Sequence, residues 1–133
     1  MGKLRRFLSN IKRVFKWLPI IWNDRWFDNA YLLRIIAFKL RQDAEKYINE
    51  GHCLHSERYG HQMIVAANLC ERIIEDDYYT PWHVNLRKPL WGRLSEEESK
   101  KFCWIVEREA EMRKQDLDYL LTIFRRQLFS WWD

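Results

Sequence analysis

Most of the signatures by which a sequence declares a reaction are missing from this one. There is no Gly-x-Ser-x-Gly, no Gly-x-Gly-x-x-Gly and no phosphate-binding P-loop, and no cysteine stands beside a His and an Asp in a nucleophilic setting. Cysteine is scarce and odd in number. Cys53, Cys70 and Cys103 lie far apart, which argues against a disulfide framework, and no signal-peptide pattern opens the chain, so a reducing cytosol is the expected setting. Long apolar runs are missing too: Tyr31 to Phe38 is interrupted by Arg34 and falls far short of the roughly 20 residues a membrane span requires. Met1-Gly2 invites a myristoylation reading that Arg6 rejects, because it stands where that motif wants Ser or Thr. Strand-like alternation, internal repeats and low-complexity tracts are absent as well.

What is present is a globular balance: 133 residues, 47% hydrophobic and 32% charged. That is enough apolar area for one domain with its own core, and it excludes a disordered chain. Net charge is +4 but unevenly placed. Residues 1–25 carry Lys3, Arg5, Arg6, Lys12, Arg13, Lys16 and Arg25 against Asp24 alone, so a basic arm precedes a slightly acidic body. An anionic contact through that arm is expected, and wrapping of the body by nucleic acid is not.

Helical periodicity fills most of the chain. Leu4, Phe7, Leu8, Ile11, Val14, Phe15 and Leu18 mark one face of a first helix over residues 1–18, with Pro19 as its stop and a basic opposite face. Packing is the commoner fate of such a stripe, and contact with a membrane surface or with nucleic-acid phosphates is the alternative. A second helix runs from an Asp24 cap to about Glu50, with Gly51 as its stop, along a seam of Trp26, Ala30, Leu33, Ala37, Leu40, Ala44 and Tyr47. A further stripe of Phe27, Tyr31, Ile35 and Phe38 makes its first half the expected central one. Ser56 is a plausible cap for a third helix to about Asp77, burying Met63, Ala66, Ala67, Leu69, Cys70, Ile73 and Ile74. Residues 78–94, with Pro81, Pro89 and Gly92, read as an irregular loop. Ser95 with Glu98 is a capping box that opens a fourth helix. Unbroken to residue 132, that helix would span about 55 Å at 1.5 Å per residue, against a radius of gyration of about 14 Å for a compact domain. Either it breaks near Gln115 to Asp118 or the molecule is elongated and oligomeric. The expected fold is all-α: one domain, residues 1–133, built as a bundle of four to five long amphipathic helices.

Three places could carry a ligand. Trp82, His83, Arg87, Lys88, Trp91 and Arg93 mix indoles with cations, the composition that stacks bases and holds phosphates; they read equally as plugs that pin the loop. His52, Cys53, His55, Glu57 and His61 are the densest set of metal-ligating types, yet the second ligand pair of a structural zinc site is missing. A polar cluster at the start of a helix is the commoner explanation. Glu71, Glu75, Asp76 and Asp77 crowd a helix C-terminus, where like charges repel. Pairing with Arg72, Arg87, Lys88 or Arg93 is the structural reading, and magnesium-dependent nucleotide hydrolysis the catalytic one. The exposed cost of Trp131 and Trp132 predicts that both dock on a helix or a second subunit.

Phe15-Lys16-Trp17-Leu18-Pro19-Ile20-Ile21-Trp22 with Asp24-Arg25, Arg72-Ile73-Ile74-Glu75-Asp76, Met112 to Tyr119, and the terminal Trp131-Trp132-Asp133 resemble a group of small helical tailed-phage proteins. The resemblance implies a phage product working in the cytoplasm of an infected bacterial host, and brings no activity, cofactor or catalytic residue with it. The resulting expectation is a non-enzymatic accessory protein, without cofactor and homo-oligomeric, that binds a nucleotide-type anionic ligand or a host defence protein. A virion or assembly role and a metal-dependent hydrolase are the rivals.

Overall fold

The computed structural model describes residues 2–22, 29–51, 53–78 and 95–132. Among them lie four helices and no strand: α1 (Gly2–Trp22), α2 (Asn29–Glu50), α3 (Ser56–Glu75) and α4 (Glu96–Gln127). The count is four rather than five because α4 does not break. Its 32 residues contain neither Gly nor Pro and span about 48 Å. The expected hinge region is instead tied down, since Asp116 accepts a hydrogen bond from the Tyr78 hydroxyl at 2.7 Å and pairs with Arg72 at 3.1 Å.

The ends of α4 follow from local chemistry. Ser95 Oγ accepts from the Glu98 amide while the Glu98 carboxylate accepts from the Ser95 amide, closing the capping box. Glu96, Glu97 and Glu98 then face the positive end of the helix dipole, and Arg125 and Arg126 the negative end. α2 ends where expected, at Gly51, whose φ of 62° suits a residue without Cβ. Two boundaries differ from the sequence reading. Pro19 lies inside α1, which runs on to Trp22; the ring removes one amide from the helix ladder, and Ile20 beyond it lines a pocket with Phe38 of α2. Ser56 is the first residue of α3 rather than its cap, and its hydroxyl donates to the Tyr47 carbonyl of α2. The cap position falls to His55, with no side-chain hydrogen bond, and α3 ends at Glu75 with Asp76 left-handed at φ 54°.

The core forms where α2, α3 and α4 meet. It holds Ala37, Leu40 and Ala44 of α2, Met63, Ala66, Ala67, Leu69 and Cys70 of α3, Leu120 of α4, and Trp131. Small residues at the α2 and α3 positions let the two backbones approach. At Gly60 a Cβ would stand 2.6 Å from Ile48 Cγ1 and 3.2 Å from the Ala44 carbonyl oxygen, so only glycine fits the crossing without a shift. Burial in α2 therefore peaks at Ala37 to Ala44, not in the first half; Tyr31, Ile35 and Phe38 are only half-buried. Trp26 and Phe27 of the two expected stripes lie outside the described residues.

Polar ties fix the packing. Arg41 of α2 grips Glu71 of α3 through both its Nε and an Nη, and reaches Asn68 at 2.8 Å. Arg113 of α4 bridges Asp76 and Glu109. Trp131 folds back into the core, donating from Nε1 to Gln62 Oε1 at 3.1 Å, while the Tyr47 hydroxyl donates to its carbonyl. Trp132 remains half-exposed and stacks edge-on against Trp131, so only the first of the two terminal indoles is buried.

Candidate functional site

α1 is the element whose chemistry the rest of the fold leaves unanswered. Successive residues of a helix turn by 100°, which gathers Leu4, Phe7, Leu8, Val14, Phe15, Leu18, Ile21 and Trp22 on one side. All eight are exposed, with Phe15 at 66% and Trp22 at 82%. The side turned toward α2 is the other one. Trp17 meets Phe38 edge to face at 4.8 Å, Ile20 shares a pocket with Arg34, Ala37 and Phe38, and Ser9, Lys12, Arg13 and Lys16 line a cleft with α2. Most of the apolar stripe is thus unpacked: α1 turns its polar side toward α2 across an open cleft and most of its apolar residues outward, with Ile11 of the stripe half-buried. No carboxylate interrupts it, for residues 2–22 contain six cations and no Asp or Glu. Among the described residues no helix is long and apolar enough to cross a membrane.

The cleft between α1 and α2 encloses about 620 Å³. α2 contributes Lys39, Gln42, Glu45, Lys46, Asn49 and Glu50 to it. Lys39 is committed to Asp43 at 2.8 Å. Asp43 is itself buried, and its Oδ2 has no hydrogen-bond partner among the described residues.

The loop residues Trp82, His83, Arg87, Lys88, Trp91 and Arg93 lie outside the described residues, as does His52. His55, Glu57 and His61 are all exposed. The structure does not gather them: His61 Nδ1 bonds the Glu57 carbonyl at 2.8 Å and His55 packs edge-on against Tyr59. Among the described residues no group of three or more His, Cys, Asp or Glu is placed to hold a metal ion. Two of the four carboxylates at the end of α3, Glu71 and Asp76, pair with cations the sequence did not single out, while the expected partners Arg87, Lys88 and Arg93 lie outside the described residues. Glu71 goes to Arg41 and Asp76 to Arg113, while Arg72 goes across to Asp116. Hydrogen bonds from Arg41 hold the Glu71 carboxyl below the usual carboxylate value. Those partners are distant in sequence, and only the helix crossing brings them together.

Two further groups have shifted protonation. Burial pushes the Cys70 thiol up to about 11, with the Glu71 charge adding to it. Burial also raises the Tyr78 phenol, and its hydrogen bond to Asp116 reinforces the shift. A buried, protonated thiol is a packing group and a poor nucleophile. No protein-family model, curated protein or solved structure matches this chain.

Proposed function

We propose that the chain is a non-enzymatic helical bundle that docks on an anionic lipid surface through the apolar face of α1. The observation that supports this reading is the orientation of that helix. Its apolar residues face away from the body, so a bilayer can meet them without displacing α2, α3 or α4. The cations are placed to help. At 100° per residue Arg5 borders one edge of the apolar face, Lys3 and Arg6 the other, where long side chains reach headgroup phosphates while their stems stay apolar.

Magnitudes separate lipid from nucleic acid as the occupant. Each Lys or Arg near an anionic membrane contributes about 1 kcal/mol, and each buried CH₂ about 0.8 kcal/mol. Partial immersion of Leu4, Phe7, Leu8, Phe15 and Leu18 therefore matches or exceeds the whole electrostatic contribution. A nucleic acid would use the cations and leave those side chains in water, and its affinity would collapse with salt. The phage resemblance supplies a setting for the proposal, the cytoplasmic leaflet of an infected bacterial cell, whose anionic lipid is the partner.

Flotation with vesicles tests the reading. The full chain is expected to float with phosphatidylglycerol-containing vesicles, to float weakly with pure phosphatidylcholine, and to keep part of its binding when salt is raised. A Leu8→Glu, Phe15→Glu double variant should stay folded and lose the interaction. Equal flotation of variant and parent would sink the proposal. So would a stable dimer, seen by native mass measurement, that the same double variant dissolves, because the face would then belong to a second copy.

A further inference from the structure

We infer that the cleft between α1 and α2 binds a small soluble molecule carrying two or three phosphates. This goes beyond the lipid reading and does not depend on it, for the cleft is on the opposite side of α1 from the apolar face. A headgroup beneath the helix would be separated from the cleft by roughly one helix diameter, about 10 Å.

Charge is the first argument. Lys12, Arg13 and Lys16 of α1 face Lys39 and Lys46 of α2, and of the residues lining the cleft only Glu45 and Glu50 are acidic. Among the described residues Lys12, Arg13, Lys16 and Lys46 make no ion pair. Cations that converge from two helices repel one another until an anion sits between them. α1 has little else to hold it: its packing on α2 rests on Trp17 and Ile20.

Size is the second. A volume of about 620 Å³ lies within the range of roughly 300 to 1,000 Å³ that small-molecule sites occupy. Lys12 and Lys16 are about 6 Å apart along α1, at 1.5 Å per residue, and Lys46 faces them from α2. One phosphate cannot reach both ends of that array, whereas a di- or triphosphate chain can. Ser9, Gln42 and Asn49 add neutral hydrogen-bonding groups between the charges, and Trp17 closes one end with an apolar wall.

Calorimetry on the full chain at low salt, with ATP as the probe and orthophosphate for comparison, tests the site. ATP should bind at micromolar concentration and orthophosphate at least tenfold more weakly. Lys46→Glu should weaken ATP by roughly tenfold or more, the scale of one charge-assisted hydrogen bond. Lys46 is exposed and unpaired, so the variant should fold. Glu45→Gln, which removes a lining carboxylate, should tighten ATP instead. Neither variant touches the apolar face of α1, and vesicle flotation should be unchanged in both, so this site and the lipid face can fail separately. Absence of ATP binding, equal binding of orthophosphate, or indifference of ATP affinity to Lys46→Glu would each overturn the assignment.

Discussion

α1 and α3 carry apolar stripes of similar regularity, and the fold treats them in opposite ways. Met63, Ala66, Ala67 and Cys70 of α3 are wholly buried, while Phe7, Phe15 and Leu18 of α1 face outward. The difference is in the size of the side chains as much as in their spacing. The wholly buried part of the α3 stripe is small residues around one methionine, so α2 can approach to within the space of a missing Cβ at Gly60. The α1 stripe has no alanine, glycine or cysteine and is built of Leu, Phe, Trp, Ile and Val, whose bulk suits a soft or separate partner better than a close helix crossing. Periodicity identifies an apolar face; the sizes along it say how near a neighbouring helix can come.

The comparison breaks first, and most strongly, at Trp131. Replacing it by Ala empties a fully buried site and abolishes the hydrogen bond to Gln62, and should cost about 4 kcal/mol in denaturant unfolding. Next comes the alkaline limb of the stability curve. The Cys70 thiol keeps its proton to about 11 in the folded chain against an ordinary 9.0, so its contribution is complete below pH 9, where both states are protonated. Stability should decline between those two values, as the unfolded state sheds its proton first, by on the order of 2 kcal/mol. Cys70→Ala should remove the decline between pH 9 and 10, above which the raised Tyr78 phenol adds a fall of its own, and in the native protein a thiol reagent should modify the exposed Cys53 and Cys103 long before Cys70. Gly60→Ala should lower stability by about 1 kcal/mol, the crowding against Ile48 and Ala44 exceeding the gain in helix propensity. Smallest of all, Phe15→Ala should alter unfolding by no more than about 0.5 kcal/mol despite removing a whole ring, because that ring is already in water. A loss like that of Trp131 would mean that α1 is covered within the folded protein.

Much of this architecture was legible from residues alone where the cause is local. The Ser95 and Glu98 capping box, the Gly51 stop and the buried residues of α3 from Met63 to Cys70 each depend on neighbours within a turn or two, whereas Ile73 and Ile74, expected with them, are only half-buried. What escaped depends on partners far along the chain. Ser56 has the chemistry of a cap, but its hydroxyl is taken by Tyr47. Asp116 sits where a break looked necessary, and Tyr78 and Arg72 hold the helix straight through it. Pro19 has the chemistry of a stop, yet the residues beyond it continue both faces of α1. For the candidate sites, the α1 stripe and its cations were visible at once; the direction in which the stripe points was not, because no periodicity records which side of a helix its neighbours occupy.

Trp131 gives the fold a particular order in time. The indole that plugs the core is joined to Gln62 and Tyr47 across 69 and 84 residues of chain, so its docking closes long loops. On a ribosome, α1 emerges before the core helices and the Trp131 plug after them. Until the plug emerges, the nascent chain holds a surface-seeking helix attached to an unfinished core, and any surface that captures α1 in that interval captures it before the core has closed.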